Sequence, residues 1–267
     1  MKFKKMHGLG NDFVIVDIRD GAKLPAKAQI AALSDRRTGI GCDQFITIEP
    51  STRADVFMRI MNGDGSEAEA CGNATRCVAD IVMKEKGSDK IVIETVAGLL
   101  DCAAAPDGGV TVDMGVPKFG WQDIPLSRDV DTLNMPIAEG AVGVNIGNPH
   151  AVFFVNDVEH LDIGKLGPPL ENHPLFPKKS NIEFVQVLNA QTLRMRVWER
   201  GAGETQACGS GACAALVAAS RRHFTGRKAK VILDGGTLNI EWRESDDHIL
   251  MTGPVAYVFE GFFTPDV

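Results

Sequence analysis

The chain repeats itself at a distance of 137 residues: "MRIMNGDGSEAEACG", starting at Met58, lies without a gap on "MRVWERGAGETQACG", starting at Met195. The same offset carries Gly10-Asn11 onto Gly147-Asn148 and Gln44 onto Asn181, each next to an apolar run. Three separated matches at one offset mark a duplication. Solenoids need more copies of a shorter unit, so the expected architecture is two homologous lobes facing each other across a cleft.

Runs of strand type recur along the chain, among them "DFVIVDI", "QFITIE", "KIVIETV", "IEFVQV", "LRMRVW" and "TLNIEW". Helical patterns are fewer: "AKAQIAALSDRR", and the segments after Cys71 and Cys208, "GNATRCVADIVMKEKG" and "GSGACAALVAASRRHF". A strand-dominated chain with few helices follows. "PDGG" at 106–109 reads as a tight turn. The Pro- and Gly-punctuated stretch 115–131, "GVPKFGWQDIPLSRDVD", reads as the connection between the halves.

A formal net charge of −7 gives nothing to neutralise phosphates, so nucleic acid and anionic membrane are not expected partners. The start "MKFKKMHGLGNDF" has no apolar h-region, and no window reaches the roughly 18 uncharged apolar residues of a spanning helix. A cytoplasmic location is expected. Six cysteines are too sparse for a disulfide framework, and none forms a CxxC pair or a zinc-finger cluster with histidine. The glycine runs "GVNIG" and "GLGNDF" miss the dinucleotide fingerprint, and no lysine stands in a recognisable pyridoxal phosphate setting. Neither a metal nor a cofactor is expected.

The duplicated element is a strand, a small-residue turn, a cysteine and a helix. The first N–H groups of such a helix have no intrahelical partner, and its end holds roughly half a positive charge, so a carboxylate can dock there. Gly72 and Gly209 permit close backbone approach, while Asn73 and Ser210 add side-chain donors. The same field lowers a cysteine pKa from about 8.5 towards neutrality, so thiolates are favoured at Cys71 and Cys208. Inverting a stereocentre needs a base on one face and an acid on the other, and two equivalent thiols exchange those roles when the reaction reverses. A cysteine hydrolase needs one thiol and a histidine, which leaves the duplication unexplained.

Cys42, Cys77, Cys102 and Cys213 lack that setting and read as packing residues. Asn11, Gln44, Asn62, Asn148 and Asn181 are turn formers when taken singly; repetition at one offset favours ligand contact. Glu199 and Arg200 replace Asn62 and Gly63 of the first copy, as a surface ion pair or as the groups that hold a ligand's ammonium and carboxylate. His150 either is a satisfied histidine near a strand start or poises one thiol.

Taken together, "MHGLGNDFVIVD", "RRTGIGCDQ", "MNGDGSEAEACGNATRC", "GNPHAVFFV", "FPKKSNIEFV", "WERGAGETQACGSGACA" and "GPVAYVFEGFF" resemble the diaminopimelate epimerases over nearly the whole chain. The resemblance implies an α+β fold of two pseudo-symmetric lobes, each a barrel-like, mainly antiparallel sheet wrapped around a central helix. It places the lobes at 1–116 with the returning strand 254–267, and at 117–253. It implies cofactor-independent interconversion of LL- and meso-diaminopimelate, with Cys71 and Cys208 as the acid-base pair. Asn11, Gln44, Asn62, Gly72, Asn73, Asn148, Asn181, Glu199, Arg200, Gly209 and Ser210 match substrate-binding positions, with His150 and Glu199 as possible catalytic support. A homodimer, with the tail around Tyr257 and Phe259 as contact, is implied as well. Two departures stand out: "CGNA" where the family usually has "CGNG", and Ser210 where it usually has Thr. Proline racemases share the apparent fold but typically follow the first cysteine with Gly-His, where this chain has Gly72-Asn73.

Overall fold

The computed structural model describes residues 1–106 and 108–264, and the chain divides into two compact units, Met1–Val112 with Gly253–Val267, and Asp113–Thr252. The first holds β1 (Lys2–Gly8), β2 (Asn11–Asp17), α1 (Lys27–Ser34), β3 (Gln44–Glu49), β4 (Val56–Asn62), β5 (Glu67–Ala68), α2 (Gly72–Lys86), β6 (Lys90–Thr95), β7 (Gly98–Ala104) and β8 (Val110–Asp113). The second holds β9 (Val142–Asn145), β10 (Pro149–Phe154), α3 (Ile163–Glu171), β11 (Asn181–Asn189), β12 (Thr192–Glu199), β13 (Gly203–Thr205), α4 (Gly209–Arg221), β14 (Lys228–Leu233), β15 (Gly236–Trp242) and β16 (Ile249–Gly253). The last strand, β17 (Ala256–Phe262), returns to pair antiparallel with β1 in the first unit. Asp107 of the expected "PDGG" turn, and residues 265–267 of the expected returning strand, lie outside the described residues.

Strand pairing repeats with the sequence. In the first unit β1–β2 is antiparallel, β2–β3 parallel, β3–β4 and β4–β5 antiparallel, β4–β6 parallel, and β6–β7 and β7–β8 antiparallel. The second unit runs through the same series from β9–β10 to β15–β16. Both sheets are therefore mainly antiparallel with two parallel pairs.

Each sheet packs on a helix buried nearly all round, which explains why those helices have no continuous polar face. In α2 every residue from Asn73 to Met83 is buried, and in α4 every residue from Gly211 to Ala219. Alanine and glycine suit α4 to its place against β9, β10, β11, β12, β14 and β15. The other sheet face is covered too, so strands read as continuous apolar runs. Val14, Val16 and Phe45 pack with Ile30 and Leu33 of α1. In the second unit Ala151, Phe153, Ile182 and Phe184 pack with Ile124, Leu126, Met135 and Ile163.

Two features depart from the sequence pattern. The stretch 115–131, expected to connect the halves, is part of the second unit's cover, with Ile124 and Leu126 buried in its core. Helix α3 was not expected, because Pro168 and Pro169 lie inside it and proline costs a helix interior a hydrogen bond. Its hold is tertiary. Gly167 lies against the Trp198 ring, where a Cβ would come within 2.4 Å, and Trp198 Nε1 donates to Glu171 Oε2 at 2.8 Å. Among the described residues no helix is long and apolar enough to cross a membrane.

Candidate active site

Cys71 is the N-cap residue of α2 and Cys208 that of α4, both with extended backbone. The duplication thus places a thiol at the start of each buried helix, beside N–H groups that the helix itself cannot satisfy.

In the first unit the β1–β2 hairpin turns through Leu9 and Gly10, at φ 57 and 83°, so that Asn11 pairs with Gly8. Two consecutive positive φ values are what a tight hairpin turn needs, and glycine supplies one without strain. The turn brings Asn11 to the start of α2. Asn11 Oδ1 accepts from Asn73 Nδ2 at 3.1 Å and from the Cys71 thiol at 3.6 Å, and its Nδ2 donates to Asp43 at 3.0 Å. Asp43 belongs to an ionic cluster: Arg36 bridges it to Asp12 at 2.6 and 2.7 Å, and Lys5, itself buried, closes on Asp12 at 2.5 Å. Burial works against ionisation of Asp12, but the hydrogen bonds from Arg36 and Lys5 outweigh it and hold its carboxyl well below the usual range. Gln44 Nε2 donates to Asn62 Oδ1 at 3.2 Å, as strand partners on β3 and β4.

In the second unit Asn148, at the head of β10, carries its amide oxygen 2.8 Å from His150 Nε2, and His150 Nδ1 lies 2.7 Å from Glu183 Oε1. His150 and Glu183 are both wholly buried. Asn181 is a strut: its Nδ2 donates to the Pro149 carbonyl and its Oδ1 accepts from the Arg200 N–H, both at 2.9 Å. Glu199 accepts from Thr205 Oγ1 and hydrogen-bonds Cys208. The Cys208 sulfur also accepts from the Gly211 N–H at 3.4 Å and meets Ser210 Oγ at 3.7 Å. Arg200 is exposed, and its guanidinium makes no ion pair among the described residues.

Two outcomes differ from the sequence expectations, and one of the two readings of Glu199 and Arg200, the surface ion pair, drops out. The helix field was expected to favour a thiolate at Cys208; burial, reinforced by the nearby Glu199 and Glu183 carboxyls, pushes that thiol well up instead, and the Gly211 and Ser210 contacts only partly offset it. Asn73, expected to donate to a ligand, turns inward to Asn11 and accepts from Arg76 at 2.9 Å. Glu199 and Arg200 do not pair with each other: one points into the cluster, the other to solvent. Burial also raises the Glu199 carboxyl, against the hydrogen bonds from Thr205 and Cys208.

Glu183 and Gly211 escaped the sequence reading. Glu183 lies two residues beyond Asn181 on β11, hence on the same face, but the apolar neighbours in "IEFVQV" hid it. Among the described residues no group of three His, Cys, Asp or Glu side chains is arranged to hold a metal ion.

The family model for diaminopimelate epimerase matches residues 3–120 and 142–258. The diaminopimelate epimerase of Rhodospirillum centenum is 55% identical over 97% of this chain and 91% of its own length; that of Acidiphilium cryptum is 53% identical over 97% and 95%. Among solved structures, a hydroxyproline epimerase from Agrobacterium vitis with bound trans-4-hydroxy-L-proline is similar at a TM-score of 0.69 and 15% identity, covering 98% of this chain and 91% of that one. At that identity the likeness shows the fold, two lobes of mixed sheet with few helices. With both copies of the repeat inside the matched residues and identity above one half along nearly the whole chain, the chain belongs to the diaminopimelate epimerase family.

Proposed function

We propose that this enzyme interconverts LL- and meso-diaminopimelate without a cofactor, with Cys71 and Cys208 as its two acid-base groups, in lysine and peptidoglycan precursor synthesis in the cytoplasm. The observation that carries the reading is the thiol at the N-cap of each buried helix, at equivalent positions of a duplicated unit. One thiolate removes the α-proton from one face of the carbon while the other thiol delivers a proton to the opposite face. The reverse direction exchanges the roles. Burial and the neighbouring carboxyls push the Cys208 thiol up, which favours its protonated form and supports a role as the acid.

The α-proton of an amino acid is weakly acidic, so charge that moves onto the carboxylate during abstraction must be stabilised. The N–H groups at Gly72-Asn73 and Gly209-Ser210 supply that in fixed orientation. Arg200 supports recognition of a substrate carboxylate, since its fork is exposed and unpaired, and Asn11, Gln44, Asn62, Asn148 and Asn181 frame the ligand or hold those that do. Glu199 and His150 set the protonation of the second thiol's surroundings. A homodimer through β17 is part of the reading, supported by the exposed side chains of Tyr257, Val258, Phe259 and Phe262.

The test is isotope exchange in heavy water with no added cofactor. LL-diaminopimelate should yield meso product carrying deuterium at the inverted carbon, with proline unchanged. Epimerisation of proline alone, or binding without exchange, overturns the reading. Light scattering on the eluting protein should give twice the chain mass of 28.7 kDa.

A further inference from the structure

Glu183 is a carboxyl with no exposure at all, seated on β11 among apolar strands. Its Oε1 meets His150 Nδ1 at 2.7 Å, and its Oε2 makes no hydrogen bond among the described residues. Burying a lone carboxylate is costly, and the group in hydrogen-bond reach is His150. On the far side of that ring, Nε2 lies 2.8 Å from Asn148 Oδ1, an acceptor. With the amide oxygen turned to the ring, as here, the contact is a hydrogen bond when Nε2 carries the proton. Were Glu183 ionised and His150 neutral with its proton on Nδ1, Nε2 and Oδ1 would face each other as two bare lone pairs, beside an uncompensated buried charge.

We propose that Glu183 is a positioning residue: with His150 it holds one proton between Oε1 and Nδ1 and leaves a second on Nε2, which turns the Asn148 amide so that its nitrogen is presented to a substrate carboxylate. The pair is then neutral overall, either as carboxylate and imidazolium or as carboxylic acid and imidazole. Asn148 is half-buried and its Nδ2 makes no hydrogen bond among the described residues, which leaves it available as a donor. The helix accommodates the arrangement. A Cβ at Gly211 would lie 2.9 Å from Glu183 Oε1, so glycine at this position of α4 keeps the carboxyl seated against His150. Glu199 on β12 and Cys208 at the α4 N-cap are the other titratable groups facing Glu183.

The inference rests on the proposed epimerase activity only for its substrate, so the test has two arms. In protein labelled with nitrogen-15 histidine, the His150 resonances, assigned by their loss in His150→Gln, should show a proton on Nε2. A bare Nε2 overturns the proposal, whatever the enzyme turns over. In the kinetic arm Glu183→Gln, whose amide can donate to Nδ1, should keep KM for LL-diaminopimelate within about twofold. Glu183→Leu should raise KM roughly two- to tenfold, the worth of one hydrogen bond, with a smaller change in kcat. Native KM in Glu183→Leu, or equal losses in both variants, overturns it, because a packing role would not separate them by proton donation. If the wild-type chain leaves diaminopimelate untouched, the activity reading fails and the nitrogen resonances still decide the proton's place.

Discussion

At the head of α2 the first unit sets Phe13, Ile46 and Ala74 where the second sets His150, Glu183 and Gly211. All of Phe13, Ile46 and Ala74 are wholly buried. The same backbone thus builds one thiol site on an apolar base and the other on a buried polar pair. "CGNA", a departure from the family's usual "CGNG", belongs to this exchange: Ala74, wholly buried, stands at the position equivalent to Gly211. The equivalent asparagines differ in the same way. Asn11 is oriented by a partly exposed ionic cluster through Asp43, Asn148 by buried His150. The proposed acid-base pair needs two groups with matched geometry and unmatched protonation, and divergence of the packing after duplication is a route to the second.

The comparison breaks most decisively at the thiols. If both units contribute one acid-base group despite their different surroundings, Cys71→Ala and Cys208→Ala should each lower kcat by about 10²–10⁴-fold or more, measured from either isomer, with circular dichroism unchanged. Near-normal turnover in one variant would reduce the machine to a single base. The next effect sharpens the difference in protonation. Burial and the neighbouring carboxyls raise the folded pKa of Cys208 above its unfolded value. Its contribution to stability is therefore complete below about pH 8.5 and lost as pH rises from there towards the folded value, at up to about 1.4 kcal/mol per pH unit. Urea melts from pH 8 to 10.5 should show a shallower alkaline loss in Cys208→Ala than in wild type. Cys77, pushed up to about 12 by burial, adds a background common to both.

Third, the two packing pairs can be set against each other. Gly211→Ala should cost about 1–3 kcal/mol, as overpacking against Glu183 does in a close-packed site. Combined with Glu183→Ile, which recreates the first unit's pair, the cost should fall below the sum of the single changes by at least about 0.5 kcal/mol. Additive losses in urea melts would show that the pairs are not alternative fillings of the same space.

Much of this was legible from residue order alone. The offset of 137 residues places both cysteines, both helices and the paired asparagines, because a duplicated backbone must repeat its turns and small residues where chain and helix start meet. Three things were not legible, each for a physical reason. Helix α3 runs through two prolines because Trp198 holds it from outside, packed on Gly167 and bonded to the helix's own Glu171. The stretch 115–131 looks like a linker by composition, and only the burial of Ile124 and Leu126 shows it to be cover. The protonation of Cys208 turns on desolvation, which depends on what encloses the thiol, whereas the opposing helix field could be read from the segment itself.

The smallest effect concerns how each unit holds its asparagine. Arg36, with its side chain 58% exposed, links Asp12 to Asp43, the residue that receives the Asn11 amide. Exposed ion pairs contribute about 1 kcal/mol or less, so Arg36→Ala should lower stability by no more than that at neutral pH. Its signature lies at acid pH. The Asp12 carboxyl is held below the usual range by Arg36 and Lys5 against burial, so its contribution is complete above about pH 3.9, the unfolded value, and lost as pH falls below it. Arg36→Ala should therefore move the acid unfolding midpoint up. Salt separates the two devices: at 1 M, where charges are screened beyond about 3 Å, the Arg36→Ala cost should largely vanish while the Glu183→Leu effect on KM persists, since no ions reach a pair with zero exposure. Equal salt sensitivity in the two variants would mean that the asparagines are held by the same kind of force, and the contrast between the units would fail at that point.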